Sequence, residues 1–496
     1  MQYTRRQFIE TSLKSMAVFS TAATMPMWIS KSATAATEAL GRGKRLVILQ
    51  LGGGNDGLNT VIPFQDDLYM GDSLRPNLHI TSGFDTLKLD TLNALNPRLA
   101  LLKPWWDKGR MAVVQNVGYP NPNLSHFTST DFWERGTSTG SNLHTVQGWV
   151  SRYFDNQCAG VPQDQIDPLT MLGAGMAFLA NAIDGSSIYR PPAVPDFDAY
   201  VLRAPDSALG ELRLDYIRRV NELVTANPDI DFLQRSAAVA RASVADMAVA
   251  SAMPVINPYP TDSLGTGLSM VSKVIRAGFE TPIFYVTQGG YDTHANQWGT
   301  DPALDGDHPR LLDTLGSAVN AFLSDMETSG HLDDVMVLTF SEFGRRVAEN
   351  FSHGTDHGAA NSLFVFGGGV KRGVYGGQPD LSDLLIGNLR HRVDFRAVYA
   401  RVLQFWMGVD PIPILGLADF ADPRFGIPES MRLIPFVGPD LLGDIDGDGD
   451  INAADVQLAV NASLRRATTS QPTDVTGDGQ TTAADIQKIV NLTLGR

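Results

Sequence analysis

With a single cysteine, Cys158, the chain of 496 residues can close no disulfide of its own. Its core and its bound ions must supply the stability that cross-links give many proteins outside the cell. A lone cysteine of this kind reads as a partly buried, inert thiol. Basic residues are also scarce: 39 Lys and Arg stand against 54 Asp and Glu, for a net charge of -15. Such a chain repels phosphodiester backbones, which argues against nucleic acid as a partner. Long apolar runs are missing too. The stretch from Met16 to Ile29 is short and rich in Ser and Thr, no later segment is long enough to span a bilayer, and the chain reads as no integral membrane protein. The glycine-rich GGGNDG starting at Gly52 lacks the G-x-G-x-x-G spacing of a dinucleotide site.

What is present begins at the N-terminus, in TRRQFIETSLKSMAVFSTAATMPMWISKSATAATEA. Paired Arg5 and Arg6, a mildly apolar stretch and small residues at Ala33 to Ala36 read as a twin-arginine export signal over residues 1–36. The mature protein is then expected to begin near Ala36 and to work in the periplasm, at the cell surface or outside the cell. The remaining chain, 43% hydrophobic overall, is long enough for one large core and a small module.

That module is an internal repeat over residues 441–496, in which D-x-x-G-D-G-x-x-x-A-A-D-[VI]-Q occurs twice, thirty residues apart. In the first copy Asp444, Asp446 and Asp448 fall at loop positions one, three and five, with Gly449 at the turn. Asp450 follows through its carbonyl, then Asn452 at nine and Asp455 at twelve. This is the oxygen spacing of a calcium loop. The second copy offers Asp474, Thr476, Asp478, Gln480 by its carbonyl, Thr482 and Asp485, with a weaker ligand at Thr476. Each loop runs into a short helix, expected at Ala453 to Leu464 and Ala483 to Leu494, with no helix before it. The arrangement resembles a type I dockerin with two calcium sites. That resemblance implies docking to a cohesin-type domain or a cell-surface scaffold. Eight Asp against three Arg and one Lys leave the module at -4, which two calcium ions would cancel, so it is expected to be largely unfolded without calcium.

Between the signal and the repeat, short runs rich in Val, Ile and Leu alternate with helical patterns. The expected strands are RLVILQL at Arg45, MAVVQNV at Met111, PIFYVTQ at Pro282, DVMVLTF at Asp334 and SLFVFGG at Ser362. Helices are expected in ALGELRLDYIRRVNELVTA, HPRLLDTLGSAVNAFLSDME and DFRAVYARVLQFWMG. Strands alternating with helices predict an α/β domain with a mostly parallel sheet covered on both faces. Its site belongs beyond the carboxyl ends of the strands. There the sequence places Asn55 and Asp56, then Ser125 and His126, then Asp292 and His294, then Glu342, with His353, Asp356 and His357 before the last strand. Mixed Asp and His suit a zinc-like or manganese-like divalent ion. Ser125 or Thr128 supplies a candidate nucleophilic oxygen, with His126 beside it, and Arg345 or Arg346 can pair with an anionic substrate.

GGGNDGLNTVIP, SHFTSTDFWERG, GGYDTHANQ, TFSEFGRRVAENFSHGTDHGAAN and DFRAVYARVLQFWMG together resemble the secreted family known as domain of unknown function fifteen-oh-one. The likeness covers residues 45–437, and that family is similar in fold to the alkaline phosphatase and sulfatase superfamily. It implies one metal site at Asp292, His294 and His357, and a second at Asp56, Ser125 and Glu342. The chain departs from the phosphatase pattern at Phe343, which follows Glu342 where that superfamily has a ligand histidine, and it lacks the sulfatase C-x-P-x-R signature. Two functions follow as expectations. One is an exported, metal-dependent hydrolase of a phosphate or sulfate ester, assembled through its calcium-binding module. The other is a non-catalytic, degenerate scaffold that binds an anionic sugar or cell-wall polymer, with Tyr119, Phe127, Phe132 and Trp133 as ring platforms.

Overall fold

The computed structural model describes residues 43–137 and 147–415, apart from 160, 163–165, 167, 179, 186–190 and 202–209. It further describes 434–438, 445, 453–464, 473, 475 and 481–493. The expected export signal lies outside the described residues. So do the calcium-loop residues Asp444, Asp446, Asp448, Asp450, Asn452, Asp474, Thr476, Asp478 and Gln480.

The architecture is mixed α/β with a mostly parallel central sheet. Its strands are β1 (Arg45–Leu51), β2 (Met111–Gly118), β3 (Met171–Ala174), β4 (Ala193–Val194), β5 (Ile283–Gln288), β6 (Val335–Phe340), β7 (Asn361–Gly367), β8 (Val374–Tyr375) and β9 (Val393–Asp394). The helices of eight residues or more are α1 (His126–Arg135), α2 (Trp149–Gln157), α3 (Gly210–Asn221), α4 (Pro228–Ser251), α5 (Ser263–Arg276) and α6 (Asp307–Thr328), and in the C-terminal module α8 (Ala453–Ser463) and α9 (Ala483–Thr493). A shorter helix, α7 (Phe395–Arg401), precedes that module. All five expected long strands form, and β2, β6 and β7 are buried along their whole length. A side chain that meets apolar cover on either face has no reason to alternate with polar ones, which is why these strands read as continuous apolar runs.

The chain divides into two compact units. The first comprises the residues up to Gln50, Ser141–Gly289 and Asp313–Val337. Its strands follow the order β1-β5-β3-β4, and β3 lies parallel to β4 and β5, with Met171 opposite Ile283 and Gly173 opposite Ala193. Helix α5 packs on β3 and β5 through Leu264, Leu268, Val271 and Ile275, spaced three or four apart on one face. The Asp262 carboxylate caps its start by accepting from the Gly265 amide, and Lys273 and Arg276 sit in its last turn, where a helix favours cations. Neither α4 nor α5 is among the helices named from sequence, and α3 ends at Asn221, before the end of its expected run. Cys158, buried just after α2, has its thiol pushed up to about 11 by burial and then by Asp155, as suits an inert thiol.

The second unit comprises Leu51–Gly140, Gly290–Leu312 and Leu338–Arg496. Its strands follow the order β8-β2-β7-β6, with β2 parallel to β8 and β9. β7 is the exception to the parallel arrangement: it pairs antiparallel with β2, Met111 opposite Phe366. Helix α7 starts at an Asp394 cap and passes into a π turn over Val402–Trp406. In the C-terminal module α8 and α9 pack together over a small core of Ile445, Ala459, Val475 and Ile489. Asp455 and Asp485, position twelve of each loop, are buried at the helix starts, where Asp455 accepts from the Ile445 amide and Asp485 from the Thr482 amide. Among the described residues no helix is long and apolar enough to cross a membrane.

Inside the first unit, Asp325 on α6 is fully buried and accepts from Asn257 Nδ2 at 2.7 Å, Tyr259 OH at 2.8 Å and Ser272 Oγ at 2.7 Å. A buried carboxylate survives only with such partners, and removing it leaves three donors without their acceptor, Ser272 buried and Asn257 and Tyr259 half-buried. Asp325→Ala is therefore expected to cost about 3 kcal/mol or more of stability. Denaturant unfolding followed by tryptophan fluorescence measures it, and a loss below about 1 kcal/mol would show that these donors find other partners.

Candidate metal centre

The centre is built within the second unit from the loops that follow β1, β5 and β6 and from the start of α1. The loop after β1 must run close to its neighbours. Gly53 has φ +123°, and a Cβ there would lie 2.3 Å from the Asp292 amide nitrogen. Gly54, at φ +84°, lies against the ring of Phe343. This is what the glycines of GGGNDG do: they admit backbone and ring where a side chain would stand.

Four side chains converge. His357 Nε2 lies 3.0 Å from Asp292 Oδ1, His294 Nε2 3.2 Å from the same oxygen, and His126 Nε2 3.4 Å from Asp292 Oδ2. The Nε2 atoms of His294 and His357 are 2.8 Å apart. His126, Asp292 and His357 each offer a ligand atom within 4.8 Å of the others.

The opposite nitrogen of each ring has an oxygen partner. His126 Nδ1 lies 2.8 Å from Glu342 Oε1, His294 Nδ1 3.3 Å from Asp356 Oδ1, and His357 Nδ1 2.8 Å from the Leu124 carbonyl. A carbonyl only accepts, so His357 carries its proton on Nδ1 and presents a lone pair at Nε2. Glu342 sets the same tautomer on His126, whose Nε2 is buried and makes no hydrogen bond. The lone pairs of His126 and His357 then face one carboxylate, an arrangement that a cation satisfies. An outer oxygen that orients each ring and leaves the inner nitrogen bare is the second layer of support typical of metal-binding histidines.

Electrostatics fit. Burial alone would raise Asp292, but the hydrogen bond and the charge of Arg345 hold it down at about 2. Burial, in turn, lowers His357 and favours its neutral, ligating form. Phe343 packs beneath, its ring centroid 4.8 Å from that of His126 and 4.6 Å from that of His357.

The residues singled out from sequence fall into several groups. His126, Asp292, His294 and His357 meet. Glu342, with its carboxylate buried, faces His126 and the Gly53 amide. Asp56 is committed elsewhere: its carboxylate pairs with Arg75 at 2.7 Å, both side chains buried, and accepts from Gln297 Nε2 at 2.6 Å. Gln297 Oε1 in turn accepts from Thr293 Oγ1 and Thr355 Oγ1, so this brace fastens the residue beside Asp292 to the residue beside Asp356. Arg345 donates to four backbone carbonyls and to Asp292. Ser125 is exposed at the N-cap position of α1, and its side chain makes no capping bond. Tyr119, Phe132 and Trp133 are buried, Trp133 stacked on Phe340 and Phe395, so of the four ring-platform candidates Phe127 alone is exposed, at 89%. Sequence reasoning missed Arg75, Gln297, Thr293 and Thr355. None of them carries a spacing signal, although Thr293 stands between two named ligands.

A model of the family described as "Protein of unknown function (DUF1501)" matches residues 43–410, and a model of the type I dockerin domain matches residues 442–492. No curated protein matches. Among solved structures the chain is similar to the lipoteichoic acid synthase LtaP from Listeria monocytogenes, at 9% identity over 70% of this chain and 73% of that one, with a TM-score of 0.30. It is similar to a protein in the alkaline phosphatase superfamily from Vibrio parahaemolyticus, at 8% identity over 79% and 78%, with a TM-score of 0.32. The PsFucS1 sulfatase from Pseudoalteromonas sp. is 10% identical over 84% and 78%, with a TM-score of 0.31. Likeness at this level carries no functional argument, which rests instead on the side chains.

Beside the centre, His308 is fully buried with Nε2 2.9 Å from Asn55 Oδ1, and burial lowers it from 6.5 to about 4 despite the nearby Asp56 charge. The unfolded chain takes up this proton near pH 6.5 and the folded chain only near pH 4, so stability is full above pH 6.5 and falls between the two. The loss expected across that window is about 3 kcal/mol, and His308→Gln should flatten it. Denaturation midpoints at stepped pH test this. An equal slope in both proteins would assign the loss to other groups.

Proposed function

The chain belongs to the DUF1501 family and ends in a type I dockerin domain, and from that premise we propose that it is an exported, metal-dependent hydrolase of a phosphate or sulfate ester, assembled through its calcium-binding module. The observation that carries this reading is the set of imidazole lone pairs turned onto Asp292, with His126 Nε2 buried and unpartnered. His126, His357 and Asp292 would hold a divalent ion, with His294 beside them. When bound, such an ion polarises an ester oxygen and generates a strong oxygen nucleophile at neutral pH.

The chain's own residues supply the rest. Glu342, Asp356 and the Leu124 carbonyl fix ring orientation and tautomer. Phe343 presents hydrocarbon beneath two of the rings and keeps water from that side. Ser125, exposed directly before His126, places a hydroxyl within the same turn of chain and remains the candidate nucleophile.

Elemental analysis of the full chain tests the reading, because transition metals are counted separately from dockerin calcium. Wild type is expected to retain about one equivalent of zinc, manganese or iron, and His126→Ala and His357→Ala to lose it. Glu342→Gln, which removes an orienting charge and no ligand, should weaken metal affinity about 10- to 100-fold. A wild-type protein that takes up none of these metals defeats the proposal. Metal uptake without turnover of any phosphate or sulfate ester would favour the non-catalytic scaffold.

The module's calcium is tested separately. Asp455 and Asp485 are buried carboxylates on helices that, among the described residues, share a small core, so the metal-free module has little packing to offset its unbalanced charge. Calcium is expected to protect the chain beyond residue 441 from trypsin, and chelation to expose it. Equal cleavage with and without calcium would count against calcium-dependent folding.

A further inference from the structure

Two adjacent arginines, Arg345 and Arg346, stand at the centre in opposite conditions. Each nitrogen of the Arg345 fork is engaged: Nε donates to Gly54, Nη1 to Thr355, and Nη2 to Gly53, Tyr291 and Asp292. Arg346 is tied down by its backbone alone, its amide donating to the Asp356 carbonyl and its carbonyl accepting from Arg75. Among the described residues its guanidinium makes no hydrogen bond or ion pair, and its Nε is buried without a partner. That backbone pairing sets it opposite Asp356, the carboxylate that faces His294, while Arg345 bridges His357. A half-buried guanidinium with open donors, on a segment paired with the one that carries His357, is prepared for an anion that is yet to arrive.

Charge then narrows the anion. The groups that touch the ligand set are the carboxylates of Asp292, Glu342 and Asp356 and the guanidinium of Arg345, with neutral imidazoles. They leave the centre at about -2, a divalent ion would bring it to about 0, and the charge of Arg346 adds to about +1. Uncompensated charge is costly in a partly desolvated site, so the best match is an ester group of single negative charge.

We propose that Arg346 is the anion-binding arginine of this centre and that the site selects a monoanionic tetrahedral oxyester, a sulfate monoester or a phosphodiester, over a dianionic phosphate monoester. This rests on the metal reading above. It assigns Arg345 to positioning and Arg346 to substrate.

The test is calorimetric binding to the full-length protein loaded with zinc or manganese, whether or not turnover follows. The probes are 4-nitrophenyl sulfate and bis(4-nitrophenyl) phosphate as monoanions and 4-nitrophenyl phosphate at pH 8 as the dianion. The monoanions should bind at least about tenfold more tightly than the dianion. Arg346→Ala should weaken monoanion binding about 10- to 100-fold, the worth of a charged hydrogen bond, and Arg346→Lys should restore part of it. Metal content measured on the same samples keeps the two readings apart. A wild type without metal defeats both, whereas a normally loaded Arg346→Ala variant that binds the probes unchanged, or a dianion bound more tightly than the monoanions, overturns this inference alone. Comparing the sulfate with the diester distinguishes the two monoanionic classes.

Discussion

The guanidinium of Arg345 donates to the carbonyls of Gly53, Gly54, Tyr291 and Thr355 and to the carboxylate of Asp292, so one fully buried cation joins the loop after β1, the loop after β5 and the loop before β7. A buried charge is tolerable only when it is well hydrogen-bonded, and here its partners are the segments that must be held in register. Asp292 gains the same favour in return, since Arg345 outweighs the burial that would raise it and keeps it ionised. The acidic ligand and the scaffold that places it are thus stabilised by a single group.

The brace of Asp56, Arg75 and Gln297 repeats this logic one layer deeper. Asp56 neutralises Arg75, and Gln297 carries that fixed point outward to Thr293 and Thr355, each next to a residue of the centre. With both loops pinned from below, and the outer ring nitrogens facing Glu342, Asp356 and the Leu124 carbonyl, the inner nitrogens stay gathered about Asp292.

Much of this was legible in the sequence. Continuous apolar runs located the long strands, and the polar residues at their ends located Asp292, His294 and His357, because in a mostly parallel sheet those ends gather. Other features were hidden for physical reasons. An antiparallel β7 buried on both faces has the same apolar pattern as a parallel strand, so composition could not give its direction. Asp56 and Asp292 are both aspartates after strands, and what separates them is Arg75, nineteen residues from one and far from the other in sequence. His126 was grouped with Ser125 as catalytic because adjacency suggested it, whereas the fold turns its ring toward Asp292. The tautomers depended on partners, such as the Leu124 carbonyl, that leave no trace in residue type.

Phe343 and Glu342 bear on how many ions the centre takes. The resemblance placed Glu342 at a second metal site and read Phe343 as the loss of a ligand there. In the structure the Phe343 ring fills the space beneath His126 and His357 with hydrocarbon, which offers no donor to an ion. Glu342, the carboxylate nearest that space, spends Oε1 on His126 Nδ1 and the Gly53 amide. Moving it to a second ion would release the ring that the first ion needs in place. Both residues therefore fit a centre that would hold one ion rather than two, with Phe343 as its packing.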